Sequence, residues 1–148
     1  MIKAALKELF SRDLNRLKQE IQAYNDESNL WKTENDIKNS GGNLCLHIIG
    51  NLKTFIGNGL AGTGYVRQRD LEFSAKNVDR NKMCTAINET IGIVDQGLDQ
   101  LNEEQLKGPF PIIIGEKETE MIYTLIHLHA HLNYHLGQIN YHRRILDT

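Results

Sequence analysis

The sequence predicts an all-α fold, a four-helix bundle with a long crossover between helices two and three. In four segments the apolar residues recur at three- and four-residue intervals, which is the period of an amphipathic helix. Only two prolines occur, Pro109 and Pro111, and both lie outside those four segments. With 148 residues, 40% hydrophobic and 24% charged, the chain is expected to form one globular domain over residues 1–148.

Polar and glycine residues set the limits of the first two helices. Helix one is predicted from Ile2 to Tyr24. The residues that carry its apolar period are Leu6, Phe10, Leu14, Leu17 and Ile21. Helix two is predicted to begin near Asn39 and Ser40, because both side chains are favourable N-caps, and to end in the glycines from Gly57 onward.

The last two helices follow from the same periodicity. Helix three is predicted from Asp79 or Arg80 to Leu101. Helix four, from Glu116 to about Leu146, is the longest of the four. Acidic residues in its first turns and basic residues in its last turn both suit the helix dipole.

Two connections also bear on the fold. Residues 59–79 form a long loop that could reach ~70 Å when extended, more than twice the ~30 Å length of a 20-residue helix. The loop can therefore cross the bundle, so helices two and three can run parallel. Residues 105–115, which contain both prolines, are predicted to form an extended connector or a small hairpin. Arg67 and Arg69 lie in the long loop, and either is a candidate contact for an anionic substrate.

Composition excludes several classes of function. The formal charge of −2, with scattered Lys and Arg, provides no basic surface for nucleic acid. No segment approaches the ~18–20 apolar residues that cross a membrane, and the N-terminus does not resemble a secretory signal. Cys45 and Cys84 match no CxxC motif and lie in apolar-periodic segments, so reduced core thiols are expected. These features predict a cytoplasmic protein that binds neither nucleic acid nor membrane.

Three histidines are the candidate site residues. His131 and His135 are one helical turn apart in helix four, so their rings leave the same side of the helix. They lie in the middle of a broad apolar arc. Its two flanks are Leu125, Leu128, Leu132, Leu136 and Ile139 on one side, and Tyr123, Tyr134, Tyr141 and Ile145 on the other. His47 has an equivalent place on helix two, and a divalent ion bound by three imidazoles would keep one coordination position open for chemistry.

The histidine pattern has other interpretations. The rings could instead hydrogen-bond to each other or to the backbone in the core, without a metal. His127 is one turn before His131, so these two form a rival pair. His142 lies near the same line at the end of helix four, and His129 is expected to be exposed or at an interface. Participation of His47 requires helix two to lie beside helix four, which spacing alone does not decide.

Two segments resemble a known superfamily. NSGGNLCLHIIGNLKTFIG (residues 39–57) and HLNYHLGQINYHRRIL (residues 131–146) resemble the DinB/YfiT-like superfamily of metal-dependent proteins. The likeness is greatest to a subgroup with a histidine and Gly-Asn in helix two and HxxxHxGQI in helix four. The resemblance implies one divalent ion, Zn or Ni, with His47, His131 and His135 as its ligands. It also implies a four-helix bundle with the long crossover, and a homodimer.

The resemblance also implies a type of chemistry. Some relatives are similar to transferases that use a low-molecular-weight thiol, which a metal ion holds as the nucleophilic thiolate, to attack a small-molecule substrate. Asn51, Thr124 and Gln138 are candidates to support the metal or contact the substrate. A metal-dependent hydrolase is an alternative. A third interpretation is a non-catalytic helical bundle, with a structural metal or none, that dimerises or binds a partner.

Overall fold

The computed structural model describes residues 1–148 and is all-helical, with isolated β-bridges but no strand. The α-helices are Ile2–Ala23 (α1), Gly41–Leu52 (α2), Gly59–Ala61 (α3), Arg69–Ser74 (α4), Arg80–Asp99 (α5), Glu103–Leu106 (α6) and Met121–Leu146 (α7). A 3-10 helix, Glu27–Trp31, follows α1, and a π-helical segment, Lys53–Asn58, joins α2 to α3. The prediction of an all-α helical bundle is confirmed.

The long helices pack around one hydrophobic core. Helix α1 contacts α5 and α7, and α2 contacts α4 and α7. The apolar period predicted for the first helix is its buried face, and its members are Leu6, Phe10, Leu14, Leu17 and Ile21. Burying one such side chain contributes about 1.5–3 kcal/mol. Because α2 lies against α7, the first and last thirds of the chain meet in space.

The second helix begins at the predicted cap, and its helical run ends within the predicted glycine segment. The Ser40 side chain accepts a hydrogen bond from the Asn43 backbone N–H at 3.2 Å, which caps α2. The helix does not stop at Gly57, since the π-helical segment and α3 carry it to Gly62, whose φ is +62°. Gly57 instead allows close packing, because a Cβ there would lie 3.1 Å from Cγ2 of Ile93 in α5. The helical run therefore ends at Gly62, within the glycines from Gly57 onward where the sequence predicted its end.

The crossover between α3 and α5 contains a short helix, where the sequence predicted only a loop. Helix α4 occupies residues Arg69–Ser74 and packs against α2. The side-chain amide of Asn43 donates to the backbone oxygens of Glu72 at 3.0 Å and Ala75 at 2.8 Å. These two bonds hold the crossover on the surface of α2.

The start of the last helix also differs from the prediction. Helix α7 begins at Met121, not Glu116. Isolated antiparallel bridges join Pro109 to Glu120 and Ile114 to Lys117, so the segment is hairpin-like, as the sequence suggested. The chain turns at Gly115, where φ is +74°. The acidic run therefore belongs to the returning arm of this hairpin and does not lie in the first turns of α7.

One flank of the predicted apolar arc on α7 is exposed. The exposed side chains, with their exposed fractions, are Tyr123 (64%), Tyr134 (67%), Tyr141 (63%) and Ile145 (55%). Only the leucine-rich flank is buried, since the contacts of α7 with α1 and α2 involve that side. His131 and His135 consequently lie at the edge of the buried face, where a small molecule can approach them.

Two further expectations concern the cysteines and the membrane. Cys45 and Cys84 are buried and unbridged, as predicted. None of the helices combines the length and the apolar character that a membrane crossing requires.

Candidate metal centre

The packing of α2 on α7 brings the three predicted histidines together. His47 projects from α2 and is 6% exposed, whereas His131 and His135 on α7 are half-buried. The ring centroids lie 4.9 Å apart for His47 and His131, 5.0 Å for His47 and His135, and 4.5 Å for His131 and His135. The juxtaposition that the spacing left undecided is thus present in the folded chain.

The Nε2 atoms of the three rings converge. Nε2 of His131 lies 3.1 Å from Nε2 of His47 and 3.1 Å from Nε2 of His135. Two nitrogens bound at the usual ~2.0–2.1 Å to one tetrahedral ion would lie roughly 3.3 Å apart. The two separations that involve His131 are close to that value, and the ligand atoms of all three residues lie within 4.8 Å of one another, so the three histidines could hold a divalent metal ion.

The hydrogen bonds of Nδ1 determine which tautomer His47 and His135 adopt. Nδ1–H of His47 donates to Oε1 of Glu72 at 3.0 Å, and Nδ1–H of His135 donates to Oε1 of Gln138 at 2.7 Å. Each neutral ring has only one N–H, so the Nε2 atoms of His47 and His135 carry lone pairs. Both lone pairs point toward Nε2 of His131, which has at most one proton to offer. Without a cation the cluster therefore has more acceptors than donors.

Burial keeps the rings of His47 and His131 neutral. Burial lowers the pKa of His131 to about 4, helped by the neighbouring His135 and His47. Burial also lowers the pKa of His47, and this effect outweighs the opposing influence of Glu72. Neutral imidazoles are the form that binds metal ions, so His47 and His131 do not need to lose a proton near neutral pH before they can bind one.

One buried oxygen beside the cluster has no protein partner. Asn51 follows His47 by one turn on α2 and is 8% exposed, and its Oδ1 atom accepts no hydrogen bond. Buried polar atoms of this kind normally have a partner. A ligand of the metal, or an ordered water, at this position would provide the missing donor. The unpartnered oxygen and the surplus of imidazole lone pairs both fit a site built for a cation and its ligand.

Glu72 and Arg67 support the centre, although the sequence analysis did not assign them to it. The side chain of Glu72 is 7% exposed and accepts from His47. Arg67 donates to both carboxylate oxygens of Glu72, from Nε at 2.9 Å and from Nη2 at 2.9 Å. A carboxylate on the far nitrogen of a ligating imidazole orients the ring and makes it a stronger ligand. The sequence offered only a loop with mixed charges here, and the crossover alone brings Glu72 to α2.

The absence of a side chain at Gly50 makes room for this carboxylate. A Cβ at Gly50 would lie 1.9 Å from Oε2 of Glu72 and 2.6 Å from its Cδ. Phe73 packs beside the His47 ring, with centroids 4.8 Å apart. Helix α4 therefore supports His47 through both a charged contact and an aromatic one.

The two arginines proposed as substrate contacts have other partners. The guanidinium of Arg67 is engaged by Glu72, and that of Arg69 lies 5.3 Å from the centre of the Phe73 ring. These contacts do not favour the prediction that either arginine binds an anionic substrate.

The residues predicted to support the metal or contact the substrate, Asn51, Thr124 and Gln138, do not all contact the histidines. Gln138 contacts the centre directly through His135. Thr124 lies in the first turn of α7, where its hydroxyl donates to the backbone oxygen of Glu120 at 2.7 Å and contacts Thr119. The structure therefore places Gln138 in contact with the histidines and Thr124 in other contacts, while Asn51 lies one turn after His47 on α2.

The other histidines of α7 have separate roles. His127 is exposed and stacks on Tyr123, so it does not join the cluster. His142, expected near a frayed end, is 3% exposed and lies between the Tyr24 hydroxyl and the backbone oxygen of Lys32, which accepts from its Nε2 at 2.8 Å. This is a core histidine satisfied by protein groups alone.

His129 is part of a buried polar cluster between α1 and α7. Its Nε2 lies 2.7 Å from Oδ2 of Asp13, so it is a partly buried link between the helices and not a surface residue. Burial alone would raise the pKa of Asp13, but hydrogen bonds from Arg12, Asn133 and His129 outweigh it and lower this pKa to about 2. The cluster joins the first and last helices by charge as well as by apolar packing.

The chain matches one protein family over nearly its whole length. Residues 3–148 match the family described as Protein of unknown function (DUF1572). This family is grouped in the DinB/YfiT-like clan. No curated protein and no solved structure matches the chain.

Proposed function

The chain belongs to the DUF1572 family, and from that premise we propose that it is a metal-dependent transferase that uses a low-molecular-weight thiol. One divalent ion, Zn or Ni, binds His47, His131 and His135. The convergence of three Nε2 atoms carries this proposal, because two of them are lone-pair acceptors by virtue of their Nδ1 contacts. Three protein ligands leave a coordination position for a substrate, which is typical of a catalytic site.

The protein groups around the centre suit thiol chemistry. When bound, the cation would keep a thiol ionised near neutral pH. The thiol proton passes to water, because Glu72 is already occupied by His47 and Arg67 and is not free as a base. The sulfur electron pair then forms a bond to an electrophilic carbon of the second substrate, and the leaving group departs with the electron pair of the broken bond. Asn51 Oδ1 and Gln138 are the nearby polar groups that can orient the reactants.

Hydrolysis fits the same residues less well. A divalent ion can lower the pKa of a bound water to about 7, but a base that removes the water proton as the bond forms typically adds a factor of about 10²–10⁴ in rate. Asn51 and Gln138 are amides and cannot do this, and the one carboxylate at the centre is engaged. A thiol, which ionises far more readily than water, does not need such a base.

Metal content and transfer activity test the proposal together. Untagged protein should contain about one equivalent of a divalent metal by elemental analysis, and His131→Ala should lose both metal and thiol-transfer activity. His127→Ala is the matched control, since His127 is one turn away on α7 and exposed. Retention of stoichiometric metal and full activity by His131→Ala would refute the proposed site.

A second candidate is a non-catalytic homodimer with a structural metal. The observation that favours it is the exposed flank of α7, with Tyr123, Tyr134, Tyr141 and Ile145 accessible to a partner. For this candidate a chelator should lower the melting temperature, while thiols and electrophiles produce no turnover with or without metal. Sedimentation of the purified protein then decides whether it is a dimer.

A further inference from the structure

A cavity of about 380 Å³ lies beside the candidate metal centre, along the C-terminal half of α7. His135 and Gln138, which belong to the centre, line it at α7. Its other lining residues are the apolar or aromatic Ile37, Leu44, Tyr141 and Ile145, together with the polar Asp36, Lys38, Asn39 and His142. The volume is near the lower limit for small-molecule sites, which commonly have ~300–1,000 Å³. The cavity therefore suits a small organic molecule that reaches the centre at one end.

The rim opposite α7 is held in place by protein contacts. The backbone N–H of Ile37 donates to the oxygen of Glu34 at 2.9 Å, which closes a turn through Asn35, whose φ is +51°. Before this turn, the oxygen of Lys32 accepts from the buried His142. After it, the chain enters the capped start of α2. A rim fixed at both ends is formed before a ligand arrives, which reduces the entropy lost on binding.

The apolar lining of the cavity that a ligand can reach is on α7. His135 and Gln138 provide the polar contact with the metal centre. Tyr141 and Ile145 are 63% and 55% exposed, whereas Leu44 is buried and the lining residues before α2, Asp36, Lys38 and Asn39, are polar or charged. Large apolar side chains left accessible around a concave site, rather than singly on the surface, indicate a place for an apolar ligand.

We infer that this cavity binds the apolar body of a small thiol whose sulfur lies at the metal centre. The inference rests on the proposed function, because it takes the thiol as the molecule that occupies the open coordination position. The thiol releases its S–H proton to water when it binds, and its hydrocarbon part packs against Tyr141 and Ile145. The preferred ligand is thus a thiol with an aromatic or branched apolar body, not a short hydrophilic one.

Two probe thiols test this preference on cobalt(II)-loaded protein. Benzyl mercaptan carries a phenyl group and 2-mercaptoethanol does not, and the thiolate-to-cobalt charge-transfer absorption reports binding of either. Benzyl mercaptan should bind about tenfold or more tightly, since a buried phenyl group contributes at least this factor. Tyr141→Ala should remove about fivefold or more of that advantage and leave the 2-mercaptoethanol affinity unchanged. Tyr141→Phe should keep the advantage.

Tyr123→Ala is the matched control for the tyrosine substitution. Tyr123 is 64% exposed and also lies on α7, but it stacks on His127 outside the cavity. Equal binding of the two thiols, or equal effects of Tyr123→Ala and Tyr141→Ala on benzyl mercaptan, would overturn the inference and leave the proposed function intact. Failure to bind cobalt, or to bind either thiol, would overturn both.

Discussion

Replacement of Glu72 by Gln tests whether the crossover tunes the metal centre. The substitution keeps the shape of the side chain and removes the charge that faces Nδ1 of His47 at 3.0 Å. A hydrogen bond to a charged group contributes about 1.5–3 kcal/mol, against roughly 1 kcal/mol for a neutral one. The difference of about 0.5–2 kcal/mol acts on metal affinity, because a cation on Nε2 makes the Nδ1–H a stronger donor. We therefore expect Glu72→Gln to bind zinc more weakly by a factor of about two to thirty.

Competition with a chromophoric chelator measures this affinity, with circular dichroism to verify that each variant is folded. The substitution also leaves Arg67, whose side chain is 16% exposed, without its partner, so some stability is lost. The double variant Glu72→Gln/Arg67→Met removes that unpaired charge and should recover stability but not metal affinity. Glu89→Gln is the control, because Glu89 pairs with Lys53 at the surface. A folded Glu72→Gln protein whose zinc dissociation constant stays within about twofold of the unmodified value would refute the reasoning.

Two glycine substitutions and one acid titration extend these tests. Gly50→Ala should displace the carboxylate of Glu72, because its Cβ would lie 1.9 Å from Oε2, and should weaken zinc binding about tenfold in the same competition assay. Gly92→Ala, where a Cβ meets nothing within 4 Å, should raise the free energy of unfolding by about 0.5–1 kcal/mol in urea titrations without a change in metal affinity. The pKa of Asp13 is lowered to about 2 in the folded protein, below the unfolded-state value of ~3.9. The ionised carboxylate therefore stabilises the fold at pH values above ~3.9, and this stabilisation is lost as the pH falls toward 2. Asp13→Asn should flatten the decrease of melting temperature between pH about 4 and 2 in metal-free protein, and an unchanged slope would contradict this assignment.

The helices could be predicted where an apolar period or a side-chain cap was clear in the sequence. The buried face of α1 has an uninterrupted apolar period, and the caps Ser40 and Asp79 fix the starts of α2 and α5 through their own side chains. These are local properties, so a single sequence contains them. Among the glycines that predicted the end of helix two, Gly62 adopts the left-handed conformation that ends it, whereas Gly57 packs closely against Ile93. The start of α7 was misplaced because antiparallel bridges, which join distant backbone groups, hold residues that would otherwise suit a helix.

The candidate metal-binding histidines were predicted by a mixture of spacing and resemblance. Spacing alone placed His131 and His135 on one side of a helix, but it left His127 as a rival and did not bring His47 to them. The folded structure distinguishes the two histidines, because His127 faces solvent whereas His47 meets His131 across the contact between α2 and α7. The predicted burial of both flanks of α7 failed because periodicity shows which residues share a face but not whether another helix covers it.

The sequence by itself determined the helical class, most helix limits and the residue types able to bind a metal, because caps, turns and apolar periods act over a few neighbouring positions. Only the tertiary structure decided that Glu72 and Arg67 support His47, that Thr124 lies away from the centre, and that a cavity opens beside His135. The physical reason is that these features depend on how the crossover and α7 pack against α2. Such contacts join groups far apart in the chain, and no local pattern of residues encodes the distance between them.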